Sequence, residues 1–440
     1  MSKSFSLKKI VIITSIAIIA LIFLLLLILS IASKKPIAAF YGISEANIKG
    51  ITKVLQTTHT RKNKKSAPYE ILVLDDTTSL GNAIKRSKKK PALLFIYNGA
   101  NAESVINQNV KKKLGFEPSI IEGMPTSIRQ ITPIFNKKVI GVPLLIDNYE
   151  VDVNVAKFTA SSIENINVLS DLENLAKLSK SSTMAPVIFA GGDDITLINT
   201  FAALAEALSG KDAVESAKLR IKQSIKSGKS SQSAFYELLK DLCAPEGEFY
   251  EVTMLLKNWM TYGIVPKNLY HMNFTDVRSF LTSNLSTICF MTLSEHRLFQ
   301  RNVISKFSSI YVPGKDMNNE RNFQAPVILA IPMKKNKVIN KSIELLTNDL
   351  QTQLSSATGL APVQANCGIP DHQADDVRYW VAASGKPLPA FSDAVFTNKP
   401  NITSFAQARR SILQSEPAKN RRTVKKQAVR VVLGSSIPRL

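Results

Sequence analysis

The stretch "VIGVPLLIDNYEVDVN", Val139–Asn154, decides the fold of this chain. It opens as a dry apolar run. Pro143 in its middle breaks any helix, because proline lacks an N–H and holds φ fixed. The run then passes straight into Asp147, Asn148 and Tyr149. A plain core strand would not end this way. A strand that crosses between two lobes at the mouth of a cleft would. Asp147 and Tyr149 are two apart, so an extended chain points both to one face.

The segments on either side repeat the theme. "IAAFYG" follows Pro36, "YEILVLDD" spans 69–76 and "PALLFIYNG" spans 91–99. Between them, 44–58 reads as an amphipathic helix with Ser44 as N-cap, and "SLGNAIKRSKK" as a second helix. Strands alternating with helices predict a mainly parallel α/β sheet. Ligands of such sheets sit outside the carboxyl ends of the strands. Here those ends carry Tyr41, Asp76, Tyr97 and Asn98.

Further on, 161–180, 214–242 and 249–263 read as helical. "APVIFAGGDDITLINTFAALAEALSG" reads as a strand, a Gly-Gly turn and a helix, with Asp193 or Asp194 as N-cap. A helix after "GGDD" argues against the hairpin turn of cyclic-dinucleotide cyclases. "LSTICFMTL" and "SSIYVPG" are strands. "QAPVILAIPMKKNKVINKSIELLTNDLQTQLSSATGLAPV" is a strand, a Lys-rich loop and one long helix that Gly359 ends. "ADDVRYWVAAS" and "AFSDAVFTN" suggest two short helices.

The 440 residues carry a net charge of +22, which favours anionic partners. Residues 34–90 hold 13 Lys/Arg against 4 Asp/Glu, with "RKNKK" at 61–65 and "KRSKKK" at 85–90. The tail 416–440 holds 7 against 1. No aromatic residues interleave these blocks, which disfavours nucleic acid; the two internal blocks read first as solvated charged faces, while anionic lipid or an acidic protein surface suits the basic tail of an anchored chain. "IVIITSIAIIALIFLLLLILSIA", Ile10–Ala32, is 23 residues without a charge. As a helix it would be about 34 Å long, enough for a bilayer core of about 30 Å. It exceeds the apolar core of a cleavable signal peptide, so it reads as a transmembrane signal anchor. Lys3, Lys8 and Lys9 before it keep 1–9 cytoplasmic and the main domain outside, in the periplasm or extracellular space.

Catalytic patterns are absent: no H-E-x-x-H, nucleophile elbow or P-loop. The sequence implies no enzyme, cofactor or metal. Cys243, Cys289 and Cys367 have no zinc spacing, leaving free thiols or a single bridge such as Cys243–Cys289. Glu295-His296-Arg297 is a dense ionisable triplet, open to two readings: an acid/base pair or a solvated turn. Tyr41, Tyr97, Tyr149 and Phe391 are candidate cleft aromatics, whereas Trp259 belongs by default to the core.

In this order the pieces resemble the extracellular solute-binding proteins of family 1, the sugar-binding receptors of ABC importers. The likeness covers 37–410 and rests on "PALLFIYNG", "IGVPLLIDNYEVDVNVAKF", "LSTICFMTL", "YVPG" and the stretch from "PVILAIP" to "GLAPV". It implies a two-lobed type II periplasmic-binding fold closing on a small polar ligand, a sugar or polyol. Lobe 1 would hold 36–142 and 327–358, lobe 2 148–323 and 361–412, with 416–440 a flexible tail. Cleft groups carried over are Tyr41, Asp76, Asn98, Asp147, Asp194 and Arg297. The partners implied are a carbohydrate and an ABC permease. Two departures stand out. "SEHRLF" replaces a glycine and tryptophan, and "PAFSDAV" offers Ser392 beside Phe391 where sugar binders place a stacking tryptophan. These departures keep a second reading open: a membrane-anchored scaffold that reuses the fold with an altered ligand site.

Overall fold

The computed structural model describes residue 21 and residues 35–60, 69–158, 163, 166–180, 185–316, 323–368, 372–383 and 387–415. Among these, no helix is long and apolar enough to cross a membrane. The candidate anchor (but for Leu21), the block 61–65 and the tail 416–440 lie outside them.

The strands are β1 (Ile37–Tyr41), β2 (Glu70–Val73), β3 (Leu93–Tyr97), β4 (Ile134–Phe135), β5 (Lys138–Val139), β6 (Val142–Ile146), β7 (Tyr149–Asn154), β8 (Val187–Ile188), β9 (Ile288–Thr292), β10 (Phe307–Ile310), β11 (Phe323–Gln324), β12 (Val327–Pro332), β13 (Ala361–Pro362) and β14 (Pro387–Leu388). The chain divides into two compact units. Unit 1 comprises 1–150, 292–311 and 322–399; unit 2 comprises 151–291, 312–321 and 400–440.

Unit 1 is built on a six-stranded sheet in the order β13-β6-β12-β3-β1-β2. β1 runs parallel to β2 and β3, as the alternating pattern required. Helices Glu45–Thr60, Leu80–Arg86 and Ala100–Lys112 link or follow these strands. Ser44 caps the first, its Oγ accepting from Asn47 N at 3.3 Å. β12 returns antiparallel between β3 and β6. The central strands are apolar on both faces because both are covered. Phe40 and Phe95, side by side on β1 and β3, stack with centroids 4.7 Å apart.

The proline that interrupts the opening stretch lies inside this sheet. Partners step from Ile328↔Leu145 to Leu329↔Pro143, so a bulge absorbs one residue of β6. A residue without an N–H is tolerated in a sheet where a bulge interrupts the ladder. The chain leaves unit 1 after Glu150, within β7.

The grouping of segments differs from the lobes read in the sequence. Residues 292–311 and 361–399 belong with unit 1. β13 adds to the sheet edge, with Ala361 opposite Ile146. Leu293 N donates to Asn148 O at 2.8 Å. The expected long helix after β12 is two, Lys337–Thr347 and Gln351–Thr358, broken at Asn348; Gly359 ends the second with φ +74°.

In unit 2, β8 and β9 are parallel, pairing Val187 with Ile288. Helices Asp194–Ser209, Lys211–Lys226, Gln232–Leu242, Tyr250–Thr261 and Lys399–Gln414 supply much of its core. Asp193 is the N-cap after "GG", its Oδ1 accepting from Thr196 N at 2.8 Å. Arg409 is fully buried. Its guanidinium lies 3.0 Å from the Phe201 centroid and donates to Cys243 Sγ at 2.7 Å. All three cysteines are free.

Each unit holds one tryptophan: Trp380 in unit 1, and in unit 2 Trp259, whose Nε1 donates to Glu173 at 2.6 Å. Phe95→Ala should destabilise unit 1 by about 3–5 kcal/mol. Denaturant unfolding of single-tryptophan variants checks this. The transition reported by Trp380 should move by that amount and the one reported by Trp259 by less.

Candidate functional site

β1 and β3 end side by side in Tyr41 and Tyr97, because parallel strands present their carboxyl ends together. Gly99 follows β3 with φ +142°. A Cβ there would run into the Asp393 carbonyl, so only glycine lets helix Phe391–Val395 come this close. The result is a small cavity of about 30 Å³ lined by Tyr41, Gly42, Ile96, Tyr97, Gly99, Asn101 and Asp393. Within unit 1 it has room for about one or two water molecules.

Asp147, just past β6, is buried. Its Oδ2 accepts from Tyr97 Oη at 2.9 Å and from Ser294 Oγ at 2.7 Å, and its Oδ1 from Ser294 N at 2.9 Å. Burial raises its pKa despite the donors Ser294 and Tyr97. Burial and the neighbouring Asp147 charge push the Tyr97 phenol well above its usual range. No hydrogen bond reaches the Asp393 carboxylate from the described residues. Burial, then repulsion from Asp147, pushes its pKa up to about 7. Tyr41 Oη donates to Thr78 O at 2.7 Å, and burial and the charges of Asp76 and Asp75 push its pKa to about 12. A carboxyl, an amide and two phenols thus face one cavity. Both phenol protons are already given to protein acceptors, and Asn101 Nδ2 donates to Thr397 O at 3.4 Å, so a ligand hydroxyl reaching the cavity would mainly find acceptors, the Asp393 carboxylate foremost.

Of the sequence-derived candidates, Tyr41 and Tyr97 line the cavity and Asp147 joins it through Tyr97. Asn98 turns inward to the sheet, its Oδ1 accepting from Val327 N at 2.9 Å. Asp76 is exposed beyond β2, near enough to act on Tyr41. Tyr149 and Phe391 are buried. Arg297 donates Nε to the Gly359 carbonyl at 2.8 Å, where the helix end offers partial negative charge. Asp194 lies in unit 2 and pairs with Arg410 at 2.7 Å.

The triplet Glu295-His296-Arg297 is not a solvated turn. Glu295 completes a capping box on Thr292. His296 is buried with its Nδ1 at 3.3 Å from Glu150 Oε1, beside Gln373 and Ser309. Asn101, Ser294 and Asp393 had no distinguishing pattern around them. "PAFSDAV" contains Asp393, but the residues there that stand out in the sequence are Phe391 and Ser392.

No family model matches the chain, and no curated protein matches it. Solved structures do. The bacterial solute receptor AcbH, described as having an exclusive preference for β-D-galactopyranose, aligns with TM-score 0.62 at 14% identity, covering 86% of this chain and 97% of its own. A chitin oligosaccharide binding protein aligns with TM-score 0.59 at 13% identity, covering 86% and 94%. The Thermus thermophilus maltotriose binding protein bound with maltotriose aligns with TM-score 0.52 at 11% identity, covering 86% and 100%. At these identities the likeness is one of fold: the chain has the mixed α/β fold of these sugar-binding proteins.

Proposed function

We propose that this protein is a membrane-anchored, extracytoplasmic solute-binding protein that delivers a sugar or polyol to an ABC importer. One observation carries the reading: Tyr41, Tyr97, Asn101 and Asp393 converge at the carboxyl ends of β1 and β3 on a small cavity, which would take a single hydroxyl of a sugar rather than its whole ring. Such groups recognise hydroxyls, and a carboxylate among them disfavours anions. The binding proteins that share the fold add support, since those named above are described as binding carbohydrates. Anchoring would come from Ile10–Ala32, with the permease as the protein partner.

A second reading, a scaffold that reuses the fold, draws on one feature. Asp147 already accepts three hydrogen bonds from its own unit. A carboxylate so engaged has little capacity left for a ligand.

A thermal-shift screen of the full chain against sugars, polyols, oligosaccharides and amino acids separates the two. A ligand at about 100 times its Kd adds about 2.7 kcal/mol of stability and raises Tm by several degrees. Silence across the panel from a folded protein would favour the scaffold. For any ligand found, Asp393→Asn should weaken binding about tenfold, the loss expected for a hydrogen bond to a charged group. Unchanged affinity would remove Asp393 from the site.

The same residue sets a pH dependence. An unfolded aspartate titrates near 3.9, whereas Asp393 titrates at about 7 in the folded chain. Between these values the native state holds a proton that the unfolded state lacks. The Asp393 contribution to stability therefore falls as pH rises from about 4 to about 7. Asp393→Asn should flatten that slope in equilibrium unfolding and make the variant the more stable protein at pH 8.

A further inference from the structure

The sheet of unit 1 has two chemically opposite ends. Carboxylates and phenols gather where β1, β2 and β3 finish. Lysines gather where these strands begin. Lys35 precedes β1. Lys88, Lys89 and Lys90 precede β3, and Lys89 reaches Glu70 at the start of β2. β12 runs the other way, so Pro332 lies opposite Leu93, and the exposed Lys334, Lys335 and Lys337 follow it. Tyr69 Oη donates to Val338 O at 3.5 Å, tying that loop to the start of β2. Helix Ala100–Lys112 runs back to the same end. Its Asn109 donates to Pro332 O at 2.7 Å, and the exposed Lys111, Lys112 and Lys113 close it.

The hairpin β4–β5 leads into β6, which is antiparallel to β12 and so starts at this end too. Its two turn residues, Asn136 and Lys137, both have positive φ, and the adjoining Ile134 and Phe135 are about half exposed, at 50% and 47%. Three acids near this end are already paired with lysines: Glu70 with Lys89, Glu117 with Lys138 and Glu344 with Lys341. Lys88, Lys90, Lys111 to Lys113, Lys334, Lys335 and Lys337 form no ion pair among the described residues.

We propose that this amino end of the unit 1 sheet is a docking surface for anionic phospholipid head groups, with the Ile134-Phe135 tip entering the interface. Two observations select a bilayer over other anions. The uncharged run Ile10–Ala32 stops only four residues before β1, so whatever holds that run lies beside these lysines. The lysine loops also lack interleaved aromatics, which single-stranded nucleic acid would stack on. Lysines near a charged membrane surface are attracted over about a Debye length. The inference rests on Ile10–Ala32 as a membrane segment and is independent of sugar binding.

The full chain, reconstituted into phosphatidylcholine vesicles with or without phosphatidylglycerol, tests it by amine acetylation and mass spectrometry. Anionic vesicles should lower labelling of Lys88, Lys111, Lys112 and Lys334 severalfold relative to neutral ones. The exposed Lys222 and Lys226 of unit 2 serve as references and should not change. Salt at about 1 M, where the Debye length is about 3 Å, should restore labelling. Equal labelling in both vesicle types overturns the surface. Equal protection by a duplex oligonucleotide without vesicles overturns its assignment to lipid. If alkaline carbonate releases the chain yet the lysines were protected, the surface stands and the membrane segment falls.

Discussion

A carboxylate stripped of water must find donors or give up its charge, and Asp147 meets that demand with three. Losing hydration costs a buried ion several kcal/mol, so the groups that answer it are held firmly in place. The donors come from separated parts of the chain: Tyr97 at the end of β3, and the backbone and side chain of Ser294 just after β9. Through this one side chain the end of β6, the end of β3 and the returning segment 292–296 are joined. The same demand explains why 292–311 belongs with unit 1: Leu293 and Ser294 both bond to the residues that follow β6. Burial first, and then the neighbouring Asp147 carboxylate, raises the pKa of Asp393.

Parallel strands make a sheet polar in its chemistry. Every parallel strand sends its loop in at one end and out at the other, so residues preceding strands collect apart from residues following them. In unit 1 the former are rich in lysine and the latter in Tyr, Asn and Asp. The lysine blocks are far apart along the chain, yet topology brings them to one edge.

Much of this was legible in the sequence, and the exceptions have physical causes. The parallel βα pattern, Ser44 as N-cap, the cap at Asp193 and the stop at Gly359 depend on local chemistry, which a sequence displays directly. Tyr41 and Tyr97 could be found because strand ends are recognisable. Asp393 could not: its distinction is that it lies near Asp147 while no described residue hydrogen-bonds its carboxylate, a fact of long-range packing. His296 was open to two readings, an acid/base group or part of a solvated turn, and its burial at 3.3 Å from Glu150, a distant residue, excludes the second. Arg409 carries no signal in the sequence of its burial among Phe201, Cys243 and Thr253, which come from other elements.

Pro143 shows where the boundary falls. The sequence by itself determined that the stretch around it could not be a helix, because a missing N–H acts locally. Composition and periodicity likewise determined the α/β class, the excess of positive charge and the uncharged run near the N-terminus. Only the tertiary structure decided that a bulge against β12 absorbs the proline, that Asp147 spends its acceptors on Tyr97 and Ser294, and that Asp393 is left to face the cavity. Those outcomes depend on which donors and carboxylates arrive within reach from elsewhere in the chain, and that is set by packing rather than by neighbours in sequence.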